Sequence, residues 1–307
     1  MQPRFWEAEL VSRSLLPLLT GDRLTGYVHS VFRRAVNVHF DRQLISVTLP
    51  ELGAMPNGIV VEGDCDFRTV GFVANTPAII LDFTLMFPKV HVTIGLSQAS
   101  QWSPCLQLAQ PVGPSDRSRA NLARATSIAA ARAPRRGFGP LLSLLAPAGH
   151  SVRTDTMAPT CAYAHARIVE VIRGIEQEDL AMAMLAAEGI VGLGDGLTPS
   201  GDDFLVGFGA ALAIAGYPLA TPFLESCANL ASERTTYLAR ALLSHAAKGE
   251  YTSRLKSLLT TLLTGTERDV DRQIPIALAW GSTSGADLLL GVLVGLAVKI
   301  RQPVEVG

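Results

Sequence analysis

The sequence predicts an α+β protein: a β-rich N-terminal domain, built as a small barrel or sheet, followed by a mainly helical C-terminal domain. Three observations carry this expectation. Short runs rich in Val, Ile, Phe and Thr, separated by Gly, Pro and Asn, fill the first hundred residues. Beyond residue 140 nearly every segment has helical period and good helix formers. Between them, after Trp102-Ser103-Pro104, the composition shifts to an Arg-rich stretch bracketed by Pro and Gly. A chain of 307 residues favours two domains over one.

Strands are predicted over 28–40, 43–50, 58–63, 76–87 and 90–96, and their close spacing suggests a small sheet or barrel. The β-rich domain is assigned to 1–110 and an Arg-rich linker helix to 111–140. That stretch carries Arg117, Arg119, Arg124, Arg132, Arg135 and Arg136. It reads either as a solvated connecting helix or as an anion-binding or subunit-contact face. The helical domain is assigned to 141–307, with helices over 159–176, 178–188, 200–216, 221–247, 251–264, 268–280 and 284–301.

Composition excludes several classes. The chain is 48% hydrophobic and 17% charged, so it can bury large cores. Its formal net charge of -1 gives no reason to expect a nucleic-acid or membrane partner. The most apolar stretches, 204–216 and 288–298, fall short of the ~20 residues a bilayer needs and read as core helices. Glu7 and Glu9 stand where a signal peptide needs an apolar run, so a cytoplasmic location is expected. Cys65, Cys105, Cys161 and Cys227 lie far apart with no CxxC spacing, which suits free thiols in a reducing compartment. The histidines, His150 among them, show no HExxH or paired spacing.

Chemistry points to residues 189–213, GIVGLGDGLTPSGDDFLVGFGAALA. A glycine loop feeding a helix bares backbone N–H groups at an electropositive helix start, a natural anion site. This loop carries Asp195, Asp202 and Asp203 but no Lys or Arg. It lacks the P-loop lysine and does not follow a clear strand, so neither a P-loop nor a dinucleotide fold fits. The segment SGDDFLVG (200–207) has an echo in SGADLLLG (284–291), identical at five of eight positions. Ser-Gly-x-Asp is a capping-box-like start, which assigns Asp203 and Asp287 as structural caps. Gly207 and Gly291 occupy the same place in both copies, with Gly295 beyond, so the two helices are expected to cross there with their N-termini close. Capping does not require Asp202, matched by Ala286, nor Asp195, which has no counterpart. Those two are the candidate catalytic acids, and the candidate Mg²⁺ ligands if a metal is used. Candidate substrate-binding residues are Gly192, Gly194, Gly196, Thr198, Ser200, Gly201, Ser284 and Gly285, with Arg234 and Thr235 as the nearest downstream cation and hydroxyl. Backbone donors beside carboxylates suit a ligand with an anion at one end and an N–H donor at the other.

GLGDGLTPSGDDFLVG (192–207), RTTYLARALLSHAAKGE (234–250) and GSTSGADLLLG (281–291) resemble the AllH-type family. HSVFRRAVNVHF (29–40), GIVVEG and the QWSPC stretch fit its N-terminal half, so the resemblance spans most of the chain. It implies a transferase subunit: one component of oxamate carbamoyltransferase, which interconverts oxalurate plus phosphate with oxamate plus carbamoyl phosphate in allantoin breakdown. It also implies a small anionic or amide substrate and a hetero-oligomer with other carbamoyltransferase subunits. Two other classes stay open, a non-catalytic assembly subunit and a stand-alone binding protein for a small carboxylate or amide.

Overall fold

The computed structural model describes residues 3–41, 43–106, 115–145 and 157–301. His150 and the opening of the 111–140 segment lie outside the described residues. The chain forms two units: residues 1–105 with 250–254, and residues 106–249 with 255–307.

The first unit is a barrel. Its strands are β1 (Arg4–Ser12), β2 (Leu24–Val31), β3 (Ala35–Phe40), β4 (Gln43–Thr48), β5 (Gly58–Val61), β6 (Pro77–Leu81), β7 (Thr84–Phe87), β8 (Val92–Gly95) and β9 (Ser100–Trp102). The order is β5-β4-β3-β2-β6-β7-β8-β1-β9, and a β1–β5 pairing closes the ring. One strand reaches both sides because β1 changes neighbours along its length. Arg4–Glu7 run parallel to β8, while Ala8–Val11 pair antiparallel with β5 across an irregularity between Ala8 and Leu10. A bulge of this kind bends a strand and increases its twist, which closure requires. Val28, Val38, Phe40, Ile45, Ile59, Leu85 and Ile94 fill the interior. Two short helices, α1 (Leu16–Leu19) and α2 (Phe67–Val70), complete the unit.

Two runs expected as single strands are hairpins. The 28–40 run turns between β2 and β3, and the 76–87 run turns at Asp82 and Phe83, both at positive φ (46° and 54°). Asp-Phe lacks the Gly that usually marks such a turn. β1 was not foreseen, because its outward residues break the apolar pattern.

The second unit comprises α3 (Asp116–Ala131), α4 (Gly139–Leu142), α5 (Pro159–Glu176), α6 (Leu180–Ala187), α7 (Ser200–Ile214), α8 (Ala220–Arg234), α9 (Tyr237–Ala247), α10 (Ser253–Thr264), α11 (Glu267–Leu278) and α12 (Ser284–Arg301), with Ser253 and Arg254 counted in the barrel unit. The Arg-rich helix α3 belongs to this unit. Asn121 donates to the carbonyls of Thr261 and Gly265, and Arg124 forks onto Asp271 at 2.6 and 2.7 Å. The span expected as one helix over 221–247 breaks at Thr235, which is extended (φ −136°, ψ 179°). Thr236 restarts the chain by capping α9 through the Ala239 N–H.

At the centre α7 and α12 cross in parallel. A Cβ on Gly207 would run into the Leu288 carbonyl, and one on Gly291 into the Phe204 carbonyl. Each backbone occupies the space a side chain would need on the other. The matched glycines set this approach, and it draws the two helix starts together.

Candidate functional site

The site grows from those two starts. Pro199, at φ −53° and ψ 146°, opens α7, and no side chain caps it. Its carbonyl accepts the N–H groups of Asp202 and Asp203. In α12 the Thr283 carbonyl accepts those of Ala286 and Asp287. The local capping box expected between Ser200 and Asp203 therefore does not form. Instead the hydroxyls of Ser284 and Thr198 stabilise the Asp203 carboxylate, and Ser200 and Thr283 do the same for Asp287. Each Ser-Gly-x-Asp start exchanges its serine with the other across the seam, because the glycine crossing brings the partners within reach. Thr198 Oγ1 and Ser284 Oγ, 2.8 Å apart, join the seam.

Asp202 is committed differently. One carboxylate oxygen accepts the Gly192 N–H at 3.0 Å, the other accepts the Thr235 hydroxyl, and the residue is 1% exposed. It ties the glycine loop to the α8–α9 break. Several other expected ligand residues are also engaged within the protein. The Arg234 guanidinium pairs with Glu188 at 2.5 Å. Its carbonyl occupies the space beside Gly192. A Cβ on Gly201 would strike the Ile190 carbonyl and one on Gly285 the Ala277 carbonyl, and the Gly285 N–H is given to Trp280. These glycines serve packing.

What faces outward is the loop tip. Gly194, Asp195, Gly196 and Leu197 are exposed, and Thr198 and Ser284 are half-buried. Among the described residues, no protein acceptor takes the N–H groups of Gly194–Thr198. Gly194 (φ +117°) lies against Ser200, where a Cβ would come within 2.8 Å of the Ser200 nitrogen. The loop is thus seated on the α7 start.

Beneath it lie carboxyl groups with unmet bonding capacity. Oδ2 of Asp203 and Oδ2 of Asp287 are buried without a hydrogen-bond partner among the described residues. Burial pushes all three aspartates above the usual carboxylate range. For Asp203 the shift is large, and the neighbouring Asp287 charge adds to it. Helix N-termini oppose this, but their effect reaches about 2 kcal/mol at most. Desolvation by burial is the first cause of each shift and outweighs that opposing effect.

One wall was missed by sequence reasoning. The Phe138 N–H donates to Asp287 Oδ1 at 2.7 Å. A Cβ on Gly137 would lie 2.7 and 2.8 Å from the two Asp287 carboxylate oxygens and 2.9 Å from Ser200 Oγ. The loop before α4, PRRGFG, thus rests on both helix starts. Nothing local in that segment points to a contact 149 residues away.

The residues do not fit a Mg²⁺ site. Asp202 has both oxygens engaged and Asp195 stands exposed at the loop tip. Among the described residues no group of three or more His, Cys, Asp or Glu is placed to hold a metal. Thiol chemistry is equally poorly served. Burial raises the pKa of both Cys161 and Cys227, with Asp287 and Asp202 adding to it respectively, so both stay protonated at neutral pH.

These features define a two-unit α+β protein with a β-barrel and a helical unit whose central helices start side by side beneath a glycine loop. A model of the family described as "Oxamate carbamoyltransferase subunit AllH" matches residues 190–296, and one described as "AllH family N-terminal domain" matches residues 7–101. The chain belongs to the AllH family. The first match spans the glycine loop, the α8–α9 break and both Ser-Gly-x-Asp starts. Neither a curated protein nor a solved structure matches the chain. The family's description is that of an oxamate carbamoyltransferase subunit, and among the described residues no helix is long and apolar enough to cross a membrane.

Proposed function

We propose that this chain is a substrate-binding subunit of a carbamoyl transferase that converts oxalurate and phosphate to oxamate and carbamoyl phosphate, with its site at the paired starts of α7 and α12. In that reaction a phosphate oxygen bonds the carbamoyl carbon, the bond from that carbon to the oxamate nitrogen breaks, and the nitrogen gains a proton. The observation that carries the proposal is the layering of the site. Bare N–H groups of Gly194–Thr198 lie above buried carboxyl oxygens that lack partners. The N–H groups suit the carboxylate or phosphate of the ligand and stabilise the oxyanion that develops at the carbamoyl carbon. Asp203, whose pKa burial raises, is the proton donor, acting through the Thr198 and Ser284 hydroxyls. Asp202 acts by holding the loop in place.

The tight packing at Gly192, Gly201, Gly207, Gly285 and Gly291 also favours a second reading, an assembly subunit whose glycine motif only packs helices. Oxalurate phosphorolysis, measured with and without the other carbamoyltransferase subunits, tests the first reading. We expect turnover that requires this chain and is lost in Thr198→Val/Ser284→Ala. Full turnover by that variant supports the assembly reading instead.

A further inference from the structure

We infer that Arg135 and Arg136 form the cationic clamp of this site, binding the carboxylate or phosphate of a ligand whose N–H group is taken by Asp287 Oδ2. The inference rests on the ligand reading above. Both arginines are exposed, and neither guanidinium has an ion pair or hydrogen bond among the described residues. They immediately precede Gly137, which sits at φ +59° directly over the Asp287 carboxylate and Ser200. Asp287 is fully buried, yet its Oδ2 has no partner. That oxygen lies 2.8 Å from where a Gly137 Cβ would stand, so it points at the underside of an exposed loop. An unpartnered buried acceptor, set against a loop that carries two exposed arginines, calls for a ligand with a donor at one end and an anion at the other. The cation that the glycine loop lacks thus comes from a loop far away in sequence. Arg234 does not supply it, because Glu188 holds its guanidinium. Gly137, having no side chain, lets this loop lie directly against the Asp287 carboxylate.

The test is calorimetric titration of the full-length chain with oxamate and, separately, with oxalate, which keeps the carboxylate but has no N–H. Because both arginines are exposed and unpaired, Arg135→Ala/Arg136→Ala should fold with an unchanged melting temperature. We expect it to lose about tenfold to a hundredfold in affinity for both compounds, the usual worth of a charge-assisted hydrogen bond. The control Arg117→Ala/Arg268→Ala removes the same charge from exposed positions on α3 and α11 and should bind normally. In the wild type oxamate should bind more tightly than oxalate, and Asp287→Asn should reduce that preference. Wild-type affinity in the Arg135/Arg136 variant overturns this inference alone. A wild-type chain that binds neither compound overturns the ligand reading and this inference with it.

Discussion

Gly207 and Gly209 lie two residues apart in α7, and Ala at each should act in opposite ways. Helix propensity alone predicts a gain of about 1 kcal/mol at both. At Gly207 the new Cβ would run into the Leu288 carbonyl and stand 3.2 Å from the Val292 nitrogen. Both are backbone atoms in the middle of α12, so relief requires the helices to separate. Overpacking of this kind costs about 1–3 kcal/mol, and a backbone obstacle places it near the upper end. The net loss is about 1–2 kcal/mol, which in a unit of this size lowers the melting temperature by about 2–8 °C. At Gly209 the Cβ meets the buried Leu224 side chain, at Cγ and both Cδ atoms, rather than backbone, so the cost falls at the lower end of that range and the propensity gain offsets it. That variant should melt within about 2 °C of the wild type. Differential scanning calorimetry decides the matter. Equal shifts for the two variants, or a stabilised Gly207→Ala, would refute the argument that close helix approach sets the site.

Three further expectations follow from the same geometry. Asp203 has a folded pKa well above its ordinary 3.8, so its contribution to stability is complete below that value and is lost as pH rises through the folded pKa. Asp203→Asn should therefore match the wild type in melting temperature near pH 4 and exceed it near neutrality, and a pH-independent difference would count against this. Asp202→Ala strands the Gly192 N–H and the Thr235 hydroxyl, costing about 1–3 kcal/mol in urea unfolding, so unchanged stability would mean the loop is held otherwise. Arg234→Ala removes an exposed ion pair worth less than about 1 kcal/mol and should leave oxamate affinity intact, whereas a large loss of binding would return Arg234 to the site.

Much of the fold was legible because it rests on local period. Predicted helices such as 159–176 and 284–301 coincide with α5 and α12, since apolar residues recur at helical spacing there. The crossing of α7 and α12 was legible because matched glycines in two echoed motifs imply matched backbone approach. The partners of the aspartates were not. A sequence can pair Ser200 only with Asp203, along one helix, whereas close crossing pairs it with Asp287. Asp202 seemed free of structural duty because Ala286 matches it, yet its partners, Gly192 and Thr235, lie outside the repeat. Arg135 and Arg136 were legible as part of an Arg-rich stretch, but the contact of Gly137 and Phe138 with Asp287 was not, since it depends on where α12 begins.

The central claim is that one ligand engages both helix starts at once. Hydrogen–deuterium exchange on the full-length chain, with and without saturating oxamate, locates it directly. Slowed exchange in residues 194–200, 281–287 and 135–138 together is the predicted result. Oxamate that binds while slowing exchange in none of these three segments would contradict it.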